Sequence, residues 1–354
     1  FTTAFSKGES TNVAVYAFDT LELGKFELNA GVRWESVNAT FRGVPLLAPP
    51  PGTAALTAAQ SAPQQSRERL FSYRFGAIFK PLEEVSIYAA YGNSKTPSSA
   101  TVRLGCGTIS APGAADPCAT APETARNYEI GVKADVKGVQ LTAAAFRNER
   151  TNFRVASNDP AQVAALQVLD GRSRVDGIAL GATGTVGGLT LFANYTYLDG
   201  KVLQSVSDFC LASPGAAGCG NTAATPDAQD GQRMLQTPKH SGSLFASYRL
   251  PFGLELGYGL SYQGRYALTN RVAPSVAATN LVQYYSDDYL IHRALLSYTL
   301  REGVTAQLNV QNLFDKKYYT NIRNNISTTT GAVTGGWAMP GEGRSAVLSL
   351  FYSF

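Results

Sequence analysis

Phe26-Glu27-Leu28-Asn29-Ala30-Gly31-Val32-Arg33-Trp34-Glu35 is the stretch whose reading decides the fold. Successive side chains of an extended chain point to opposite sides. Phe26, Leu28, Ala30, Val32 and Trp34 therefore share one face, and Glu27, Asn29, Gly31, Arg33 and Glu35 share the other. The pattern returns with Leu254, Leu256, Tyr258, Leu260 and Tyr262 against Glu255, Gly257, Gly259, Ser261 and Gln263. It returns again with Val304, Ala306, Leu308 and Val310 against Thr305, Gln307, Asn309 and Gln311, and finally with Leu348, Leu350, Tyr352 and Phe354 against Ser349 and Ser353. Such segments run to about ten residues, longer than the five or six usual in soluble strands, and aromatic residues gather near their ends. Any one of them suits a soluble sandwich with one wet face. The connections between them do not, because they alternate between very short, at 23–25, 80–83, 136–138, 186–188, 250–253 and 300–303, and very long, at roughly 40–66, 96–122, 150–166, 201–235, 267–286 and 320–341. Tight turns at one rim and long loops at the other predict an all-β fold, a transmembrane antiparallel β-barrel of the bacterial outer membrane with its long loops outside the cell.

Composition agrees. Only 16% of the 354 residues are charged, against roughly 25% in an ordinary soluble protein. Gly (34), Tyr (18) and Phe (17) favour short strands over long helices, and no apolar run reaches the ~18–20 residues of a membrane helix. The net charge of +4 is scattered without runs and implies no nucleic-acid partner. Cys106 with Cys118, and Cys210 with Cys219, fall as two close pairs inside long loops. Their spacings match no zinc site and no histidine stands near them, so two loop disulfides in an oxidising compartment are expected, and no metal.

The period yields about thirteen strands, at roughly 11–21, 25–39, 67–80, 84–95, 124–136, 139–149, 167–186, 188–200, 237–250, 253–266, 287–300, 303–319 and 343–354. Single-chain bacterial barrels have an even number. Residues 1–10 then read as the tail of an outer loop, and the chain is expected to be the C-terminal part of a larger barrel.

The motifs point the same way. Asn309-Val310-Gln311-Asn312-Leu313-Phe314-Asp315-Lys316-Lys317-Tyr318 and the ending Pro340-Gly341-Glu342-Gly343-Arg344 to Phe354 resemble the C-terminal signature of TonB-dependent outer-membrane receptors, with similarity to the ferric-siderophore, catecholate-type branch. Ala14-Val15-Tyr16 with Asp19-Thr20, Asn29 to Trp34, Pro122-Glu123 with Tyr128 to Lys133, Gly171-Arg172 through Gly177-Ile178, and Thr237-Pro238-Lys239-His240 follow in family order along essentially the whole chain. The resemblance implies a plugged barrel of about twenty-two strands. Residues 1–354 would supply the last thirteen, with the N-terminal plug domain, its TonB-binding segment and about nine strands outside this chain.

It also implies uptake of iron already chelated as a ferric siderophore, with no resident cofactor, by an outer-membrane monomer contacting lipid and lipopolysaccharide and energised through TonB. Anionic, planar ferric catecholates call for cations and aromatic faces. The candidates in the outer loops are Phe153 with Arg154, Arg265 with Tyr266, Tyr284 with Tyr285, Arg323 and Trp337. Tyr266, Tyr284, Tyr285 and Tyr319 read equally as an outer aromatic girdle, Arg33, Arg265 and Arg293 as lumenal groups facing the plug, and the Asn312–Tyr318 motif as assembly chemistry. His240 and His292 lack a carboxylate or cysteine partner in sequence, and no hydrolase elbow, zincin motif or phosphate loop is present, so no enzyme is expected. A passive porin, and a barrel serving as surface adhesin or phage receptor, are the alternative functions.

Overall fold

A computed structural model describes residues 4–45, 64–97, 122–156, 167–217, 219–270, 282–327 and 331–353. One antiparallel sheet of 13 strands runs in chain order. Its members are β1 (Ala4–Leu23), β2 (Phe26–Pro45), β3 (Gln64–Leu82), β4 (Val85–Thr96), β5 (Glu123–Val136), β6 (Val139–Ala156), β7 (Gln167–Val186), β8 (Leu189–Gln204), β9 (His240–Arg249), β10 (Leu254–Gln263), β11 (Tyr289–Arg301), β12 (Val304–Gln311) and β15 (Ser345–Tyr352). Between β12 and β15 the chain makes a separate hairpin of β13 (Tyr319–Ile326) and β14 (Val333–Pro340). A short helix, α1 (Asp208–Ala212), lies in the connection from β8 to β9. Among the described residues β1 and β15 each pair on one side only.

The short-rim turns follow from backbone chemistry. Lys137 and Gly138 both have positive φ, 54° and 83°, and this two-residue loop matches the right-handed twist of the strands it joins. From it Val136 pairs Val139, and the ladder continues without a slip to Thr124 and Thr151.

Burial identifies the solvent of each face. Among the described residues only Val37, Ala39, Leu70, Val155, Cys210, Tyr266 and Ala267 are buried apolar residues. Leu28, Val32, Phe75, Ile130, Leu180, Leu256, Leu296 and Leu348 are all exposed on the apolar face. Each would gain about 1.5–3 kcal/mol from leaving water, and the chain itself does not provide that burial. Hydrocarbon does. On the opposite face Arg33 pairs with Glu35 at 2.9 Å, Lys80 with Glu27 at 3.0 Å and Arg249 with Glu255 at 2.9 Å. The Tyr88 hydroxyl donates to Glu129 at 2.6 Å, and Asn194 donates to Ser243 at 2.7 Å. Gly177 sits beneath the Phe146 ring, where a Cβ would stand 2.2 Å from the ring edge, so this wet face needs glycine where an aromatic ring lies across the neighbouring strand.

Several boundaries differ from the sequence reading. Residues 4–10 are strand, paired from Ala4↔Pro45 to Ser10↔Ala39, and not a loop tail. β2 and β3 likewise extend beyond the expected ends. Lys7, Gly8, Glu9, Ser10, Thr40, Arg42, Gln65 and Ser66 leave these extensions without an apolar period. The interval 320–341, read as loop, holds the β13–β14 hairpin for the same reason. β12 stops at Gln311 and not near 319, because Asn312 and Asp315 turn the chain through positive φ of 46° and 53°.

Candidate functional site

Beyond the outer ends of β10 and β11 the chain doubles back on itself. Tyr266 N–H donates to Ser286 Oγ at 3.0 Å, Ser286 N–H donates to the Tyr266 carbonyl at 2.9 Å, and Leu268 N–H to the Tyr284 carbonyl at 2.8 Å. Ala267, fully buried, bridges Leu235 on one side and Tyr285 on the other. This pairing brings Arg265 and Tyr285 together, the guanidinium carbon 4.7 Å from the ring centroid. The Tyr284 hydroxyl donates to the Gly331 carbonyl at 2.9 Å, joining the loop to the end of the β13–β14 hairpin. Tyr266 is only 6% exposed, and burial pushes its phenol above the ordinary value, so the hydroxyl is neutral at pH 7. The arrangement offers a cation lying on an aromatic face at the long-loop rim.

Of the sequence candidates, Arg265, Tyr266, Tyr284 and Tyr285 are therefore gathered. Tyr266, Tyr284 and Tyr285 pack in the loop and not in the aromatic girdle, which is built instead from outward residues such as Trp34, Phe71, Tyr73, Tyr91, Tyr128 and Tyr197. Arg323 and Trp337 stand opposite each other across β13 and β14, with Trp337 50% exposed. Phe153 lies elsewhere on the rim, its ring 5.2 Å from the Arg150 guanidinium and packed over Gly171. The Arg154 side chain lies outside what is described. Arg33 and Arg293 are on the inward face, Arg293 over the Phe245 ring at 5.2 Å, whereas Arg265 sits above the strands. One pair escaped the sequence reading: Tyr289 and Tyr318, ring centroids 4.6 Å apart, with the Tyr289 hydroxyl donating to Gln263 at 3.0 Å. Tyr289 registers with the inward Gln263, a parity legible once β10 and β11 are aligned.

The Asn312–Tyr318 motif is structural. Asn312, 2% exposed, donates to the Lys316 and Glu342 carbonyls and accepts from Lys316 N–H, all within 2.8–2.9 Å, while Asp315 accepts from Arg344 N–H at 2.8 Å. His240 and His292 face outward, each sharing a hydrogen bond with a tyrosine, Tyr195 at 2.7 Å and Tyr258 at 2.5 Å. Cys210 and Cys219 are disulfide-bonded. Cys106 and Cys118 lie outside the described residues.

The fold and its two solvents define an outer-membrane β-barrel protein. Residues 2–313 match the family described as TonB dependent receptor-like, beta-barrel, and the chain belongs to that family. The probable TonB-dependent siderophore receptor PiuA of Acinetobacter baumannii is 30% identical over 351 residues, which cover 98% of this chain and 41% of that protein. Its crystal structure superposes with a TM-score of 0.70 over 98% of this chain and 44% of the other, at 28% identity. The metal-pseudopaline receptor CntO of Pseudomonas aeruginosa is 29% identical over 82% of this chain and 34% of its own length. The closed form of the ferric-catecholate import receptor Fiu from E. coli K12 gives a TM-score of 0.72 over 99% of this chain and 45% of that chain, at 24% identity, a likeness of fold. The chain spans less than half the length of these relatives. All three are named as receptors.

Proposed function

We propose that the protein is a receptor for ferric siderophores, of the catecholate type, driven through TonB, and that residues 1–354 form the C-terminal part of its barrel with the plug and first strands supplied by the remainder of the receptor. The observation that carries the ligand class is the Arg265 guanidinium over the Tyr285 ring at the long-loop rim. An anionic, planar iron chelate finds there a delocalised cation for its charge and an aromatic surface for its ring. Tyr284, with Arg323 and Trp337 on the adjoining hairpin, and Phe153 with Arg154 across the rim are the further contacts. Tyr266 supports the loop from beneath. The names of PiuA and Fiu support a siderophore, and that of CntO marks a relative with another metal chelate.

The test is fluorescence quenching of the full-length receptor by ferric catecholate and ferric hydroxamate complexes. Saturable quenching by the catecholate, weakened about tenfold by Arg265→Gln, is the expected result. Preference for the hydroxamate overturns the class, and silence toward every iron chelate overturns the siderophore reading.

A further inference from the structure

At the long-loop rim β6 breaks its own alternation. Among the described residues five non-glycines have positive φ; Lys137, Gln236, Asn312 and Asp315 lie outside the strands, and Asn152 alone lies inside one, at φ 62°. Asparagine enters this left-handed region more readily than most residues with a Cβ. There the ladder slips. Thr151 faces Arg172 and Phe153 faces Gly171, so β6 takes two steps where β7 takes one. The extra residue is a β-bulge, a device that re-aims the side chains beyond it.

The slip decides where Phe153 points. Before it the odd-numbered residues of β6 face outward with Leu141, and the even-numbered ones face inward, Phe146 over Gly177 and Arg150 beside Ser173. An unbroken strand would put Phe153 on the outward side with Thr151. With one residue inserted, Phe153 meets Gly171, which shares the buried inward face of β7 with Ser173 and Gly177. Its ring fills the space over that glycine, where a Cβ would stand 2.4 Å from ring atoms. Arg150 lies on the same face, its guanidinium carbon 5.2 Å from the ring centroid. Three successive residues fasten the bulge to the outer end of β5: Arg150 is ion-paired with Glu123, Nη2 donating at 2.7 Å, Thr151 Oγ1 donates to the Thr124 carbonyl, and Asn152 Nδ2 donates to the Pro122 carbonyl, the last two at 3.4 Å. Glu123 neutralises the guanidinium and holds it at the ring. This part of the mouth therefore offers a partly exposed aromatic surface without net charge.

We propose that Asn152 is a positioning residue for ligand recognition: its left-handed backbone inserts the residue that turns the Phe153 ring from the outer side of β6 into the mouth, where the ring stacks on the aromatic part of the chelate. The inference deepens the ferric-catecholate reading and rests on it. A β-branched residue at 152 resists positive φ and favours a regular strand, whereas glycine adopts positive φ freely. The two substitutions therefore separate the backbone conformation from the asparagine side chain.

Quenching of the full-length receptor by a ferric catecholate, together with the crystal structure of the ligand-free Asn152→Val receptor, tests it. Phe153→Ala and Asn152→Val should each weaken binding about fivefold, the size of one aromatic contact. Asn152→Gly should bind within about twofold of the unaltered receptor, and Asn152→Val combined with Phe153→Ala should be no weaker than either alone. The Asn152→Val structure should show Phe153 on the outward side. A ring still turned inward in that structure overturns the proposal, as do additive losses in the double variant, an unchanged affinity in Phe153→Ala, or a loss in Asn152→Gly as large as in Asn152→Val. If Asn152→Val fails to assemble, the affinities of Phe153→Ala and Asn152→Gly decide. Silence of the unaltered receptor toward every iron chelate removes the siderophore reading, and the place of the ring in the Asn152→Val structure then decides by itself whether Asn152 aims it.

Discussion

Removing the Cys210–Cys219 bond by Cys210→Ala with Cys219→Ala should loosen one stretch of the rim without touching the barrel. The two cysteines are nine residues apart, and closing a loop of that size restricts the unfolded chain by about 2.7 kcal/mol at 25 °C, a factor of roughly 100 in local opening. Cys210 is 1% exposed, and its surroundings survive the change in part. Ser207 Oγ accepts from its N–H at 3.2 Å, and the Asn221 side chain donates to its carbonyl and to that of Pro226, both at 2.8 Å. At the foot of the loop the Asp227 carboxylate accepts from Ser205 N–H, Ser205 Oγ and Gln229 N–H. These bonds hold the ends of the segment, so the opening is confined between them. Hydrogen exchange of the full-length receptor read by mass spectrometry should show amides of α1 and its C-cap, such as Leu211 and Ser213, losing about two orders of magnitude of protection, with β8 and β9 unchanged. Protection within about threefold of the oxidised protein would refute the reasoning, because the hydrogen bonds alone would then suffice.

Other substitutions test the remaining layers. Leu180→Arg, on the outward face, should cost about 2–4 kcal/mol, whereas Thr183→Arg on the inward face of the same strand should be nearly neutral; heat-modifiable mobility of receptor recovered from outer membranes reads both, and equal losses would contradict the register. Asn312→Ala removes three hydrogen bonds and leaves a non-glycine side chain at φ 46°, so thermal unfolding should reveal a loss of about 2–4 kcal/mol, with Asn312→Asp intermediate because it keeps the acceptor for Lys316 N–H. Gly177→Ala should cost about 1–3 kcal/mol by displacing the Phe146 ring, and much of that should be recovered in the double variant with Phe146→Ala; additivity of the two changes would show that the ring is not what the glycine accommodates.

The barrel was legible wherever a strand separates two solvents. From Phe26 to Glu35 the alternation of side chains is the alternation of lipid and water, so composition alone assigns each face. At Lys7 to Ser10, and again in Tyr319–Ile326 and Val333–Pro340, water lies on both sides and the period vanishes although the backbone ladder continues. The rim cluster was legible by residue type and not by arrangement. Arg265 meets Tyr285 only because the chain pairs across a separation of twenty residues, and nothing local to either residue specifies that pairing. The same non-local folding moved Tyr266, Tyr284 and Tyr285 out of the girdle to which strand-end tyrosines ordinarily belong.

The outward apolar run of β8 extends from Leu189 to Tyr197, nine residues. At about 3.4 Å per residue and a tilt near 40° it rises only about 21 Å along the membrane normal. That is short against the roughly 30 Å hydrocarbon layer of an average bilayer. The protein is thus matched to a thin host, and vesicles of long-chain lipid must pinch inward around it at a cost that grows with each added ångström. Acyl-chain length becomes a variable of its stability as real as temperature or any substitution.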